Sequence, residues 1–368
     1  MKVALVYDRV NKWGGAERLL LALHEIFPHA PLYTSVCSPK KAPWADVFRI
    51  KTSFLQKFPF STHHELYAPL MPLAFESFNF NKYDLVISVT SEAAKGIITT
   101  PQTKHICYML TPTRYLWSGY KDYFKNEWLR LFALPLVAYL RFWDKAAAQR
   151  PDKIIAISEE VRSRIKRYYK RDSKVIYPPL TLGSKYQVAS IMNEKIHNTK
   201  YIIPNTGFYL IVSRLVPYKR IDIAIKAFNA LGLTLKIVGT GSESNKLKRM
   251  AKSNIEFLGN LTDEELVKYY KKCVALVFPG KEDFGLTVLE AQSFGKPVIA
   301  YEAGGVRETV AKGKTGMFFY PQTEKALTEG IKKFQKSKFD PAECKQQAKK
   351  FAIKNFKKRF LQEVENLN

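Results

Sequence analysis

The sequence predicts an α/β protein of two domains, each built on a parallel sheet. Three observations carry this. Short apolar runs of strand length alternate with amphipathic helical stretches along most of the chain. The alternation lapses once, after Pro178-Pro179, and then restarts. A chain of 368 residues also exceeds what one ordinary core accommodates.

In the first half, strands are expected at Val3–Val6, Leu85–Val89, His105–Met109, Lys153–Ile157 and Val175–Tyr177. A helix over Glu17–Phe27 places Leu19, Leu20, Leu23, Ile26 and Phe27 on one face. Ser158 is an expected N-cap for a helix through Tyr169, with Glu159 and Glu160 in its first turn. The second half repeats the pattern with strands at Tyr209–Ser213, Leu235–Val238, Ile255–Phe257, Ala275–Phe278 and Val298–Ala300. The expected organisation is a first domain over 1–180, a connection over 181–205 and a second domain over 206–350. The amphipathic stretch from about 351 to 368 either closes the second domain or packs back on the first.

With 46% hydrophobic and 13% aromatic residues the chain is globular and not disordered. The longest apolar run, Leu131–Leu140, lies between Arg130 and Arg141 and contains Pro135, which is expected to interrupt any long helix there, so it is too short to span a bilayer. The start reads directly as a strand and not as a signal peptide. Cys37, Cys107, Cys273 and Cys344 are widely spaced, which argues against a zinc site or a disulfide framework and suits a reducing cytosol. A formal net charge of +26 attracts polyanions, either nucleic acid or an anionic membrane face, and equally fits a lysine-rich background. No helix-turn-helix, RNP or zinc-finger signature supports nucleic acid. The stretch Trp128–Trp143, apolar and aromatic beside Arg130, Arg141 and Lys145, reads as core or as an interfacial helix. Charge alone names no partner; together with the resemblance set out below it favours the second, peripheral on an anionic surface.

Three segments carry candidate chemistry. The first runs Glu282 to Glu290, E-D-F-G-L-T-V-L-E, after the strand Ala275–Phe278. Glu282 is expected in the loop at a parallel strand's carboxyl end, where ligands of open α/β sheets bind. Gly285 is expected where loop meets helix, Glu290 about two turns inside that helix, and the amides from Phe284 to Thr287 form an anion seat. The second is S-R-L-V-P-Y-K-R, Ser213–Arg220, whose Arg214 and Lys219 have the charge to neutralise a diphosphate. The third is W-G-G-A-E, Trp13–Glu17, where two glycines permit close backbone approach. It is not G-x-G-x-x-G, so a dinucleotide fingerprint is absent. Gly304-Gly305 forms a similar turn. For each, a solvated loop or plain turn is the competing reading.

Taken in order, G-G-A-E, S-R-L…K-R, E-x7-E and P-V-I-A-Y-E-A-G-G resemble the retaining glycosyltransferase family four of the GT-B fold, over nearly the whole chain. That fold has two Rossmann-like domains with parallel sheets facing a central cleft. The segments T-S-F-L-Q (52–56), T-P-T-R-Y-L-W (111–117), V-S-R-L-V-P-Y-K-R-I-D (212–222) and F-P-G-K-E-D-F-G (278–285) are similar to the GDP-mannose-dependent mannosyltransferases of O-antigen and surface-polysaccharide assembly. The resemblance implies Arg214 and Lys219 on the donor diphosphate, Glu290 on the ribose, and Glu282 on the transferred sugar. Amides of Phe284, Gly285 and Leu286 aid Glu282, Phe257 and Leu258 lie at the nucleotide base, and Gly15 approaches phosphates and acceptor. It further implies a nucleotide-sugar donor, a lipid-linked or glycan acceptor, and work on the cytoplasmic face of the cell membrane.

One position departs from the family. Many relatives carry histidine before the Thr-Pro of T-P-x-R-Y; here it is Leu110, and His105 or the Thr111 hydroxyl is left to supply polarity nearby. No D-x-D and no His/Cys cluster occurs, so no metal and no cofactor are expected, and cations with helix-end amides offset leaving-group charge. By resemblance, transfer retains configuration through an oxocarbenium-like state. The alternatives are a UDP-sugar enzyme of the same fold, a phosphorolytic or hydrolytic enzyme, and a basic nucleic-acid-binding protein.

Overall fold

The computed structural model describes residues 1–59, 64–120, 127–182 and 207–367. The chain divides into two compact units, Met1–Pro179 with Phe356–Asn368, and Leu180–Asn355. The expected connection over 181–205 lies, apart from its first two residues, outside the described residues.

The first unit holds seven strands: β1 Val3–Tyr7, β2 Leu32–Thr34, β3 Ile50–Thr52, β4 Leu85–Thr90, β5 Lys104–Met109, β6 Lys153–Ala156 and β7 Lys174–Val175. They pair in parallel, in the order β3-β2-β1-β4-β5-β6-β7. Every residue of β1 and β4 is buried, as expected of a parallel strand covered on both faces. Ser158 caps the helix Glu159–Tyr169 by accepting from the Val161 amide at 3.1 Å. The segment Phe356–Asn368 belongs to this unit. There Glu363 pairs with Lys153 at 2.9 Å and with Lys174 at 2.5 Å, and Lys357 with Glu25 at 2.8 Å.

The second unit holds six: β8 Phe208–Val212, β9 Thr234–Val238, β10 Ile255–Gly259, β11 Leu276–Phe278, β12 Val298–Tyr301 and β13 Gly316–Phe319. They are again all parallel, in the order β10-β9-β8-β11-β12-β13. In each sheet the order reverses beside the first strand, at β1/β4 and at β8/β11, the switch point where a crevice opens at the strands' carboxyl ends.

Two expectations are corrected. Pro135 does not break the apolar stretch: one helix runs Glu127–Ala147, 21 residues, with Pro135 inside it. Proline removes one internal hydrogen bond, and Pro135 lies on the exposed side of the helix. Nor is Glu290 two turns into its helix. Gly285 has φ 88°, outside the right-handed helical region, so the helix begins at Leu286 and Glu290 sits little more than one turn in.

Candidate active site

The candidate site of the second unit is built from the loops that follow β8, β11 and β12. After β8 the chain forms a tight 3₁₀ turn over Pro217–Lys219, closed by Arg220 in the left-handed region at φ 53°. That turn leaves Lys219 only 7% exposed. Its ammonium forms an ion pair with Glu282, in the loop after β11. A buried lysine is costly without a charge partner, and the pair fixes both side chains in one place. Arg214 is exposed and donates to the Tyr218 hydroxyl at 2.7 Å, beside the same turn.

Close backbone approach brings these loops together. A Cβ on Gly280 would lie 2.9 Å from the Lys219 backbone, and one on Gly305 would overlap Asp283 and Phe284. The Gly305 amide donates to the Glu282 carbonyl at 2.9 Å. Glycine is the one residue that admits such contacts. The turn at Gly304-Gly305 is therefore the clamp that positions the Glu282 loop.

The helix Leu286–Ser293 follows directly. Its N-cap is Gly285, which has no side chain to cap it, and its first amides face the loop. The Phe284 ring is buried edge-on against Phe351 at 5.7 Å, so its backbone is what the site can use. Glu290 is buried and accepts from the Tyr270 hydroxyl at 2.8 Å. Tyr270 rides on the helix Asp263–Lys272, whose start is fixed by a capping box between Thr262 and Glu265. The structure thus joins Lys219 with Glu282 and sets Glu290 on the next helix with a different partner. Phe257 and Leu258 lie on edge strand β10, half-buried, at a bulge where the register against β9 skips Leu258. A bulge leaves backbone groups outside the ladder.

Gly15 lies in the first unit, at the start of the helix Gly15–Ile26, with Gly14 as N-cap. Behind it the buried Glu17 accepts from the Tyr7 hydroxyl at 2.5 Å. His105 does not supply the polarity missing at Leu110. It sits at the amino end of β5, fully buried, with Nε2 2.8 Å from the Ser88 hydroxyl. Burial, with Arg150 adding to it, pushes its pKa down to about 3, so it is neutral. The Thr111 hydroxyl accepts from Arg164 at 3.3 Å.

Sequence reasoning missed two buried clusters at the strand ends of the first unit. Asp8 accepts from the Ser91 amide at 2.7 Å, the Ala94 amide at 2.9 Å and the Thr90 hydroxyl at 2.8 Å, which fixes the loop after β4. Asp144 pairs with Lys95 at 2.6 Å and accepts from Thr113, Trp117 and Tyr169 at 2.8, 2.7 and 2.6 Å. Lysine within Ala-Ala-Lys-Gly (93–96), and an aspartate inside an apolar helix, were the available signals.

With this geometry in place, comparison with known proteins gives a likeness that falls mainly on the second unit. Residues 192–351 match the family of glycosyl transferases, group 1. An uncharacterized glycosyltransferase MJ1178 of Methanocaldococcus jannaschii is 30% identical over 196 residues, 52% of each chain. O-antigen chain mannosyltransferase C of Escherichia coli is 32% identical over 133 residues, 34% of this chain and 36% of its own. The chain spans about half the length of the curated relatives it matches, or less. Among solved structures, Anabaena HepE in complex with UDP and glucose superposes with a TM-score of 0.69 at 19% identity, over 99% of both chains. At that identity the likeness is one of fold, and the fold is the expected one of two parallel-sheet α/β units. The matched segment contains Arg214, Lys219, Glu282 and Glu290, together with the glycine clamp. Among the described residues no cluster of three or more His, Cys, Asp or Glu side chains has a metal-holding arrangement.

Proposed function

We propose that this protein is a retaining hexosyltransferase that moves mannose from GDP-mannose to a lipid-linked or glycan acceptor of a surface polysaccharide. The Lys219–Glu282 pair at the carboxyl ends of β8 and β11, beside an uncapped helix start, is the observation that carries the reading. Lys219 and Arg214 offset charge on the departing diphosphate, with the amides of Phe284, Gly285 and Leu286 beside them. Glu282 accepts from hydroxyls of the transferred sugar, Glu290 holds the ribose, and the bulge at Phe257-Leu258 reads the base. The leaving group departs without a divalent ion. The mannosyl donor is supported by the likeness to the O-antigen mannosyltransferase and by the 278–285 segment. The protein works at the cytoplasmic face of an anionic membrane.

A screen of turnover with GDP-mannose, GDP-fucose, UDP-glucose and UDP-N-acetylglucosamine tests the donor, run with and without excess chelator. GDP-mannose is expected to be consumed fastest, and equally fast in chelator. Preference for UDP-glucose would overturn the donor assignment in favour of the nucleotide found with HepE. Complete loss in chelator, restored by magnesium or manganese, would overturn the metal-free mechanism.

A further inference from the structure

The helix Glu127–Ala147 is apolar on two opposite sides, but only one is covered by the described residues. Val137 and Leu140 are buried against Leu116, with Ala133 beside them, and Asp144 and Ala147 continue that face. On the other side, at helical spacing, Leu131, Phe132, Tyr139 and Phe142 are exposed, Phe132 by 78% and Phe142 by 77%. A helix apolar all round is ordinarily enclosed. No described helix is long and apolar enough to cross a membrane.

At the carboxyl end of this helix a concavity of about 410 Å³ opens against the helix Glu159–Tyr169. Its walls carry Phe142, the stacked pair Trp117 and Tyr168 at 5.1 Å, and three cations, Lys145, Arg167 and Lys170. All three cations are exposed, and none forms an ion pair with a carboxylate of the described residues. Lys145 lies 5.4 Å from the Trp117 ring centroid, a cation held over an aromatic face. Apolar side chains for the acyl region, aromatic rings at its border and unpaired cations just beyond are the sequence of layers an anionic leaflet presents.

We infer that the helix Glu127–Ala147 lies in the surface of an anionic phospholipid bilayer, with the concavity at its carboxyl end taking a lipid phosphate headgroup between Lys145, Arg167 and Lys170. This rests on the reading that the protein works at a membrane face, and it names the surface and the lipid chemistry that place it there. A second copy of the chain is the competing occupant. Three clustered cations disfavour it, because a two-fold contact buries the same patch from both copies and the walls of this concavity carry, among the described residues, no carboxylate to answer them.

Cosedimentation with vesicles of phosphatidylcholine, alone or with one quarter phosphatidylglycerol, tests the inference independently of sugar transfer. The wild type is expected to bind the anionic vesicles, release in high salt, and bind the neutral ones weakly. Lys145→Ala/Arg167→Ala/Lys170→Ala is expected to lower partitioning on the order of 100-fold, at ~1 kcal/mol for each cation near the leaflet. Removing an equal charge from the second unit, in Lys325→Ala/Lys332→Ala/Lys336→Ala, is expected to change it little. Phe132→Ser/Phe142→Ser leaves the net charge alone and is expected to abolish retention. All variants alter exposed side chains, and circular dichroism checks the fold. Equal loss in both lysine/arginine triples, or full binding by Phe132→Ser/Phe142→Ser, overturns the assignment of this surface. A dimer dissociated by Phe132→Ser/Phe142→Ser, with no vesicle binding by the wild type, assigns the face to a second copy and overturns the inference. If GDP-mannose is no substrate but these binding results hold, the donor assignment fails and the surface stands.

Discussion

Lys219 is the residue on which the proposed chemistry rests most directly, because it is nearly buried and pairs with Glu282. Lys219→Ala is expected to lower turnover about 10²-fold or more, the usual effect of losing one preorganised charge partner of a leaving group. Arg214→Ala is expected to match it. Near-normal turnover of the folded double variant would remove both residues from the diphosphate. His105 makes a different prediction, of stability against pH. Its folded pKa, about 3, lies below the ordinary 6.5. The unfolded chain therefore binds a proton that the folded chain refuses, and stability falls as pH drops from about 6.5 toward 3. The slope is about 1.4 kcal/mol per pH unit within that window. Urea midpoints at pH 7 and pH 5 should diverge less in His105→Asn than in the wild type; parallel curves would show that His105 is not responsible. At this scale the sequence disclosed which residue types stood at the strand ends, since Arg214, Lys219 and Glu282 sit in loops marked by Pro and Gly. It did not disclose that Lys219 pairs with Glu282, or that Tyr270 binds Glu290, because those contacts join segments 63 and 20 residues apart.

Among the elements, the helix Glu127–Ala147 has two apolar faces that its sequence superimposes. Its apolar residues are visible in the sequence, but periodicity cannot tell which of two apolar faces is covered. Asp144 settles the orientation: four partners converge on its carboxylate, so this side must face inward. Asp144→Ala would leave Lys95 buried and unpaired, an expected loss of about 3–5 kcal/mol. It would also release Thr113 and Trp117, in the loop after β5, from this helix. Replacing Asp144 and Lys95 together by Leu and Met should recover part of that stability in thermal unfolding. If the double replacement is no more stable than Asp144→Ala, the cost lies in the loop contacts and not in the orphaned charge. The long strands were legible because β-branched and aromatic residues fill them. Of the three that escaped, β2 and β3 have three residues each and no sustained apolar run, Leu-Tyr-Thr and Ile-Lys-Thr, whereas β13, Gly-Met-Phe-Phe, opens on glycine and has no β-branched residue. Their pairing comes from neighbouring strands, through tertiary context that local propensity does not encode.

For the whole molecule, the second unit is an insertion within the first, since Leu180–Asn355 interrupts a unit made of Met1–Pro179 and Phe356–Asn368. Removing Phe356–Asn368 would take Glu363 from Lys153 and Lys174, and Phe356 from its contact with Tyr108 at 6.2 Å. Hydrogen exchange should then quicken in β5, β6 and β7 while β8, β9 and β11 keep their protection. Uniform loss of protection would mean that the two units share one unfolding equilibrium. The insertion also sets an order of events on the ribosome. A chain emerging from its amino end completes every residue of Leu180–Asn355 before the first unit receives its closing helix. The unit begun first is thus finished last, and until then β6 carries Lys153 without the carboxylate that pairs it in the finished protein.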